Sequence, residues 1–360
     1  MEGNKEINDK ETAESILRWV RPSIRKLVPY SSARDEFSSN GEQMVFLDAN
    51  ENPYENGVNR YPDPYHRSLR ERLSEIKGIQ IDRLTTGNGS DELIDLLLRI
   101  FCRPGLDKVL LCPPTYGMYR VWADINETEV KEVPLKSDFR LDLPALLEAI
   151  KEPEIKMIFL CSPNNPTANT LDEEEVHILL ERFGRPVVID EAYIDFSSQS
   201  SWSNKLDKYP NLVVLQTLSK ARGMAGLRLG YSFAHPVITR LLHSIKPPYN
   251  VSTPNQRLAL KLLADQEDYT LQLEILILER ERLTVELRKL SWVKEVFPSE
   301  ANFLLFRVDD ADRRYQQLLE RGVVVRNRSR LIHCHACLRA SVGTPEENIK
   351  FIETAKQLTA

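Results

Sequence analysis

The sequence predicts an α/β protein: a large domain with a mostly parallel, mixed sheet flanked by helices, plus a small α+β domain. Three observations carry this. Between Leu84 and Ser244, short β-branched or apolar runs alternate with amphipathic segments, the pattern of βαβ units. Residues 255–290 keep apolar residues at helical spacing with charges opposite, which reads as one long, kinked connecting helix. Beyond them strand-like and helix-like runs alternate again, and 360 residues are enough for two cores.

In chain order, polar residues 1–14 are expected to fray, and residues 15–45 to return against the small domain. The large domain then reads as helix 91–102, strand 108–112, helix 116–124, strand 129–133, helix 142–150, strand 156–160, helix 172–183 and strands 186–190, 212–216 and 229–233. After the connecting helix, VKEVFPS, NFLLFRV, VVVRNR and LRASVG read as strands, with helices at 310–321 and 345–358. The expected division is an arm and part of the small domain at 1–45, the large domain at 46–254, and the connecting helix with the small domain at 255–360.

Composition narrows the function. Hydrophobic residues at 42% and charged residues at 28% are ordinary for a globular chain, which excludes general disorder. Forty-eight basic against 53 acidic residues leave a net charge of −5, the wrong sign for a general nucleic-acid binder, so a small-molecule partner is expected. No apolar stretch is long enough to span a bilayer and the N-terminal residues are polar, so a cytoplasmic location is expected. Five thinly spread cysteines read as reduced thiols.

Four polar clusters each follow a predicted strand, where doubly wound sheets bind ligands. Gly87-Asn88-Gly89-Ser90-Asp91 opens onto a helix whose free N–H groups and positive dipole end favour an anion; the same pattern also serves as an ordinary helix cap. It lacks the spacings of nucleoside-triphosphate and dinucleotide loops. CSPNNPT (161–167) is a proline-stiffened loop that presents Asn165, or a plain turn. Asp190 ends a buried strand in VVIDEAY, with Tyr193 three residues on; a buried carboxylate needs a partner, a protonated ring nitrogen or a structural cation. The strand beginning at Leu212 runs into Thr217, Ser219 and Lys220, with Arg228 eight residues after the lysine. Hydroxyls and arginine bind phosphate, and a desolvated lysine attacks carbonyls, although most lysines are surface charges. Together these are the groups that pyridoxal phosphate requires.

LDANENP (47–53), RYPDP (60–64), TGNGSDELIDLL (86–97), PPTYGMY (113–119), CSPNNPT, VVIDEAYIDF (187–196), TLSKARGMAGLRLGY (217–231) and LRASVGT (338–344) occur in that order. From about Ile24 onward the chain resembles the fold-type I pyridoxal-phosphate aminotransferases, most closely the histidinol-phosphate aminotransferase family. The resemblance implies transamination of histidinol phosphate with 2-oxoglutarate, giving glutamate, in histidine biosynthesis. Threonine-phosphate decarboxylases and aromatic-amino-acid aminotransferases share the fold, and a non-catalytic binding module is the alternative from another class.

By the same resemblance, Lys220 holds the cofactor covalently and moves the proton, Asp190 keeps the pyridine nitrogen protonated, Asn165 and Tyr193 bind the phenolate oxygen, and Tyr116 stacks on the ring. Ser90, Asp91, Thr217, Ser219 and Arg228 bind the cofactor phosphate, and Tyr61 reaches it from the other subunit of a homodimer. Arg339 and Arg326 take the substrate's carboxylate and phosphate, while Tyr30 and Asn50 close over it. Two positions depart from the family pattern: Ala168 stands where glycine is usual, and Arg222 where a smaller or aromatic residue is common. The C-x-x-C spacing in residues 333–337 invites a zinc reading, but no second ligand pair follows, and a hairpin loop is expected there.

Overall fold

The computed structural model describes residues 2–30 and 45–358. Elements in chain order begin with α1 (Glu2–Trp19), α2 (Pro22–Arg25), α3 (Arg67–Lys77), β1 (Leu84–Asn88), α4 (Ser90–Phe101), β2 (Lys108–Leu111), α5 (Met118–Ile125) and β3 (Glu129–Glu132). They continue with α6 (Leu143–Ala149), β4 (Ile155–Cys161), α7 (Glu173–Phe183), β5 (Val187–Asp190), β6 (Leu212–Thr217), β7 (Leu229–Ala234) and α8 (Pro236–Ile245). The last third holds α9 (Thr253–Ala264), α10 (Gln266–Arg288), β8 (Val293–Val296), β9 (Phe303–Val308), α11 (Ala311–Glu320), β10 (Arg326–Asn327), β11 (Cys337–Ser341) and α12 (Pro345–Lys356).

Seven strands form one sheet in the order β1-β7-β6-β5-β4-β2-β3. The five from β6 to β3 run parallel, and β7 is antiparallel to both β6 and β1. The inner strands β4, β5 and β6, with β2, are largely apolar because both faces are covered, whereas the edge strand β3 (EVKE) is polar and partly exposed. Leu110, Ile158, Leu160, Ile189 and Val214 point into one core; the alternate residues Val109, Phe159, Val188 and Val213 point into the other. Register places Cys161 beside Asp190 and Asp190 beside Leu215, so three parallel strands end together at one edge.

The second sheet, β10-β11-β9-β8, is antiparallel throughout, and its own core joins Leu304, Phe306 and Leu338 to Leu283 and Leu287 of α10 and Phe351 and Ile352 of α12.

The structure differs from the sequence expectation in three places. The connecting segment is two helices, because Asp265 leaves helical geometry (φ −86°, ψ 88°) and its side chain accepts from the Asp268 N–H at 3.0 Å, capping α10. Instead of the expected strand VVVRNR, only Arg326–Asn327 ladders, at the sheet edge. The N-terminal segment is helical and lies against the large sheet's helical layer, not the small domain: Ala13, Ile16, Leu17 and Val20 form a stripe matching Val237, Ile238 and Leu242 of α8. The rest of that expectation, residues 31–44, falls outside the described residues.

One close approach fixes the large sheet against α4. A Cβ on Gly230 of β7 would sit 2.2 Å from the Ser90 nitrogen, so only glycine lets the strand pass the start of α4. Gly230→Ala therefore forces backbone movement and is expected to cost about 2–4 kcal/mol, as checked by urea unfolding.

Behind the sheet, His66 and His243 are buried near Arg70 and Lys246; desolvation and these cations hold both imidazoles down at about 3. A pKa lowered on folding gives stability that is complete above the unfolded value near 6.5 and is lost as pH falls toward 3. His243→Phe is expected to flatten the fall in unfolding free energy between pH 6.5 and 4; an unchanged slope would remove His243 from the acid transition.

Candidate active site

Strand ends and loops bring the predicted groups together. Ser90, Asp91, Tyr116, Asn165, Asp190, Tyr193, Thr217, Ser219, Lys220 and Arg228 line one cleft of about 490 Å³ at the carboxyl edge of the parallel strands.

At its floor is Asp190, the last residue of β5 and 2% exposed. Tyr119 Oη donates to Oδ2 at 2.7 Å and the Ala192 N–H to Oδ1 at 3.1 Å. Burial outweighs these two donors and pushes the carboxyl up to about 6. Lys220 follows Thr217, the end of β6, by three residues and lines the same cleft, with Nζ 5.6 Å from the Tyr193 ring centroid. Desolvation, then Arg339, pull its ammonium below the ordinary lysine range, and Arg228 adds to this against the opposing pull of Asp190. A lysine so placed is closer to the neutral, nucleophilic form.

The opposite end of the cleft is built for an anion. Ser90 begins α4, whose first N–H groups are free, and Gly89 before it takes φ +81°. A side chain at Gly89 would strike Arg228 Nη2, 2.7 Å from the position of its Cβ. Arg228 is itself left-handed (φ 51°), which aims its guanidinium back across the β6–β7 connection to Asp91, with Nη2 to Oδ2 at 3.5 Å. Thr217 Oγ1 accepts the Ser219 N–H at 3.1 Å and lies 3.0 Å from Ser219 Oγ, so both hydroxyls border the same space.

Between the two ends, Asn165 Nδ2 donates to Tyr193 Oη at 3.4 Å, and Arg339 Nη1 donates to Asn165 Oδ1. The Tyr116 hydroxyl donates to Asp91 Oδ1 at 3.2 Å, and its ring meets Tyr119 edge to face at 5.4 Å. Tyr193 packs edge to face on Phe303 of β9, with centroids 5.1 Å apart, so the small sheet closes one side.

Not every predicted residue reaches this cleft within one chain. Tyr61 stacks on Tyr249 at 4.4 Å in a separate groove, Tyr30 is 75% exposed, and Asn50 is exposed with φ 52°. Arg326 is exposed but lies directly across the β10–β11 ladder from Arg339. Sequence reasoning missed Tyr119, which lies in the first turn of α5 while Tyr116 precedes that helix, so no shared periodicity links the two.

The two departures have structural counterparts. Ala168 holds the left-handed conformation that glycine favours (φ 63°), while fully buried. Arg222 lies 3.4 Å over the Tyr269 ring and donates to Gln266 Oε1, tying the Lys220 loop to α10. In residues 333–337 the side chains divide: Cys334 and Cys337 are buried while His333 and His335 are exposed, and no group of three metal-ligating side chains occurs among the described residues.

The residues present fit pyridoxal phosphate: a buried carboxylate without a bonded cation for the ring nitrogen, a helix N-terminus with arginine and hydroxyls for the phosphate, and a lysine between. Comparison agrees. Residues 44–354 match the model of aminotransferase class I and II. A histidinol-phosphate aminotransferase of Christiangramia forsetii is 50% identical over 344 residues, covering 96% of this chain and 98% of the relative. Among solved structures, the histidinol-phosphate aminotransferase of Clostridium acetobutylicum has a TM-score of 0.76 at 24% identity, covering 83% of this chain and 90% of that one. That of Sinorhizobium meliloti, in complex with pyridoxal-5'-phosphate, has a TM-score of 0.75 at 22% identity, covering 83% and 82%. Matched by that family model over most of its length and by a half-identical relative along nearly all of it, the chain belongs to the class I and II aminotransferases, pyridoxal-phosphate enzymes of fold type I, and within them to the histidinol-phosphate aminotransferase family.

Proposed function

We propose that this chain exchanges the amino group of L-histidinol phosphate with 2-oxoglutarate, reversibly giving imidazole-acetol phosphate and L-glutamate, as a step of histidine biosynthesis. The observation that carries the reading is the joining of two sites by one hydrogen-bonded path: Arg339 on the small sheet bonds Asn165, which bonds Tyr193 above Lys220 and Asp190. The name of the half-identical relative supports the substrate.

Pyridoxal phosphate, when bound, supplies an electron sink for the pair left as the substrate's carbon–hydrogen bond breaks. The chain's own residues do the rest. Lys220 Nζ would hold the cofactor and would carry the proton to and from the substrate carbon; its lowered basicity suits both. Asp190 Oδ keeps a proton on the ring nitrogen, with Tyr119 and the Ala192 N–H fixing the carboxylate's orientation. Tyr193 Oη and Asn165 Nδ2 hold the phenolate oxygen, and Tyr116 bears on the ring face. The N–H groups of Ser90 and Asp91, the hydroxyls of Thr217 and Ser219, and Arg228 bind the phosphate. Arg339 and Arg326 receive the substrate's anionic groups, and Tyr30 and Asn50 close over it.

The working unit in this reading is a cytoplasmic homodimer in which Tyr61 of each subunit reaches the other's phosphate site; its exposure in one chain supports this. No helix among the described residues is long and apolar enough to cross a membrane. Residues 46–254 act as the cofactor domain and 255–360, with the arm at 1–45, as the part that carries the substrate arginines.

Absorbance of the purified holoenzyme tests the function. The yellow band of the lysine-bound cofactor is expected to bleach on histidinol phosphate alone and return on 2-oxoglutarate, and Lys220→Ala is expected to lack it. A band indifferent to histidinol phosphate overturns the substrate, and carbon dioxide release from phosphothreonine would identify a decarboxylase.

Asp190 gives a second test with a worked sign. Its folded value, about 6, lies above the ordinary 3.8, so its contribution to the stability of the cofactor-free protein is present below pH 4 and is lost as pH rises through 6. Asp190→Asn is therefore expected to gain stability relative to wild type between pH 4 and 7 in thermal melts of cofactor-free protein, while turnover falls roughly 10²-fold or more. A flat stability difference, or near-normal turnover, would remove Asp190 from this role.

A further inference from the structure

Arg328 belongs to none of the roles assigned above, yet it lies beside them. Its N–H donates to the Cys337 carbonyl at 2.9 Å, which extends by one step the register in which Arg326 faces Arg339. By strand alternation Arg326, Arg328 and Arg339 therefore share one face of the small sheet. That face meets the cleft, because Arg339 reaches Asn165 and lies over the Phe303 ring at 5.1 Å.

Among the described residues no carboxylate pairs with any of the three, whereas Arg307 and Arg314 of the same domain have Glu295 and Asp309. Arg328 is partly buried, and its Nε is shielded from water without a hydrogen-bond acceptor; the Nε of Arg339 is in the same condition. Burial and mutual repulsion hold both guanidiniums below the usual arginine range, Arg326 acting on Arg328, and Arg328 on Arg339. Guanidinium has donors and no acceptors, so these groups call for an incoming acceptor, and an anion also offsets the charge that the three arginines share. One bidentate arginine suffices for a carboxylate, but a phosphate dianion offers more oxygens and a second charge.

We propose that Arg328 is a third anion-binding residue of the substrate site, joining Arg326 and Arg339 in a pocket matched to a phosphate dianion and setting preference for phosphorylated over purely carboxylic substrates. The identity of the phosphorylated substrate rests on the function proposed above; the anion subsite does not.

The test uses holoenzyme, the glutamate half-reaction and inorganic phosphate as competing anion. Arg328→Gln is expected to raise KM for histidinol phosphate roughly 10-fold or more, and the phosphate concentration for half-inhibition by a similar factor. KM for glutamate should change less than about 2-fold, which also shows the variant folded, and Arg328→Lys should restore part of the loss. Equal rises in both KM values would mean that Arg328 only braces the hairpin, and phosphate inhibition unchanged from wild type would mean that it meets no anion; either overturns the proposal. If Arg328→Gln fails to fold, the same comparison on Arg328→Lys decides, an unaltered phosphate response again overturning it. Should wild type ignore histidinol phosphate while its phosphate inhibition still depends on Arg328, the substrate assignment fails and the subsite stands.

Discussion

A carboxylate buried at the end of β5 without a bonded cation is the constraint from which the rest of the site follows. Asp190 is 2% exposed because the parallel strands on both sides are apolar on both faces, which leaves the cleft as the open side of the strand end. Among the described residues the phenol of Tyr119 and one backbone N–H are its direct side-chain partners, and they do not offset the desolvation of a full charge. A cation supplied by a ligand does, and a protonated pyridine nitrogen is a cation that fits a flat, enclosed floor. With that end fixed, the anionic end of the same ligand has one place to go. The N-terminus of α4, Arg228 and the Thr217–Ser219 hydroxyls lie at the cleft's other limit.

The antiparallel strand β7 is what joins these two ends. Its reversal between β6 and β1 brings Arg228, at the start of the strand, back over Gly89, and lays Gly230 against Ser90. Both contacts need missing or unusual backbone geometry: two glycines without side chains and an arginine in the left-handed region. The phosphate cradle is thus a product of sheet topology as much as of side-chain chemistry.

The alternation of strands and helices, the four strand-end clusters and the convergence of Lys220, Asp190 and Arg228 on one cleft were legible because each depends on local pattern: periodicity, turn residues, and charges at strand ends. What was not legible depends on partners distant in sequence. Nothing local in LGYSFA reports that β7 runs against its neighbours, since an apolar strand reads alike in either direction. Helical spacing at 255–290 continues across Asp265, and only the capping bond to Asp268 reveals the break. The stripe on α1 predicted burial but not against what; α8 offers the complementary stripe, while α10 and α12 already cover the small core. Arg328 was passed over for a similar reason. Its neighbours Arg326 and Arg339 come from the family resemblance, whereas the lack of a carboxylate opposite Arg328 among the described residues appears only once the hairpin is folded.

The chain Arg339–Asn165–Tyr193 shows how the two sheets act as one site. Arginine can only donate, so the Asn165 oxygen must face Arg339, and this leaves the Asn165 amide nitrogen directed at Tyr193 Oη. Tyr193 thereby has its oxygen engaged as an acceptor, and its own proton is left free to donate elsewhere in the cleft. Reversing the amide would set two donors, Nδ2 and the guanidinium, against each other and leave the phenol's proton pointing at an oxygen. The small sheet therefore fixes a donor pattern on the large one, through an arginine that also stands ready for the substrate's anion. An anion arriving at Arg339 competes for the same guanidinium that orients Asn165. An anion at Arg339 and the hydrogen bonding of the phenol are in this way linked through one amide.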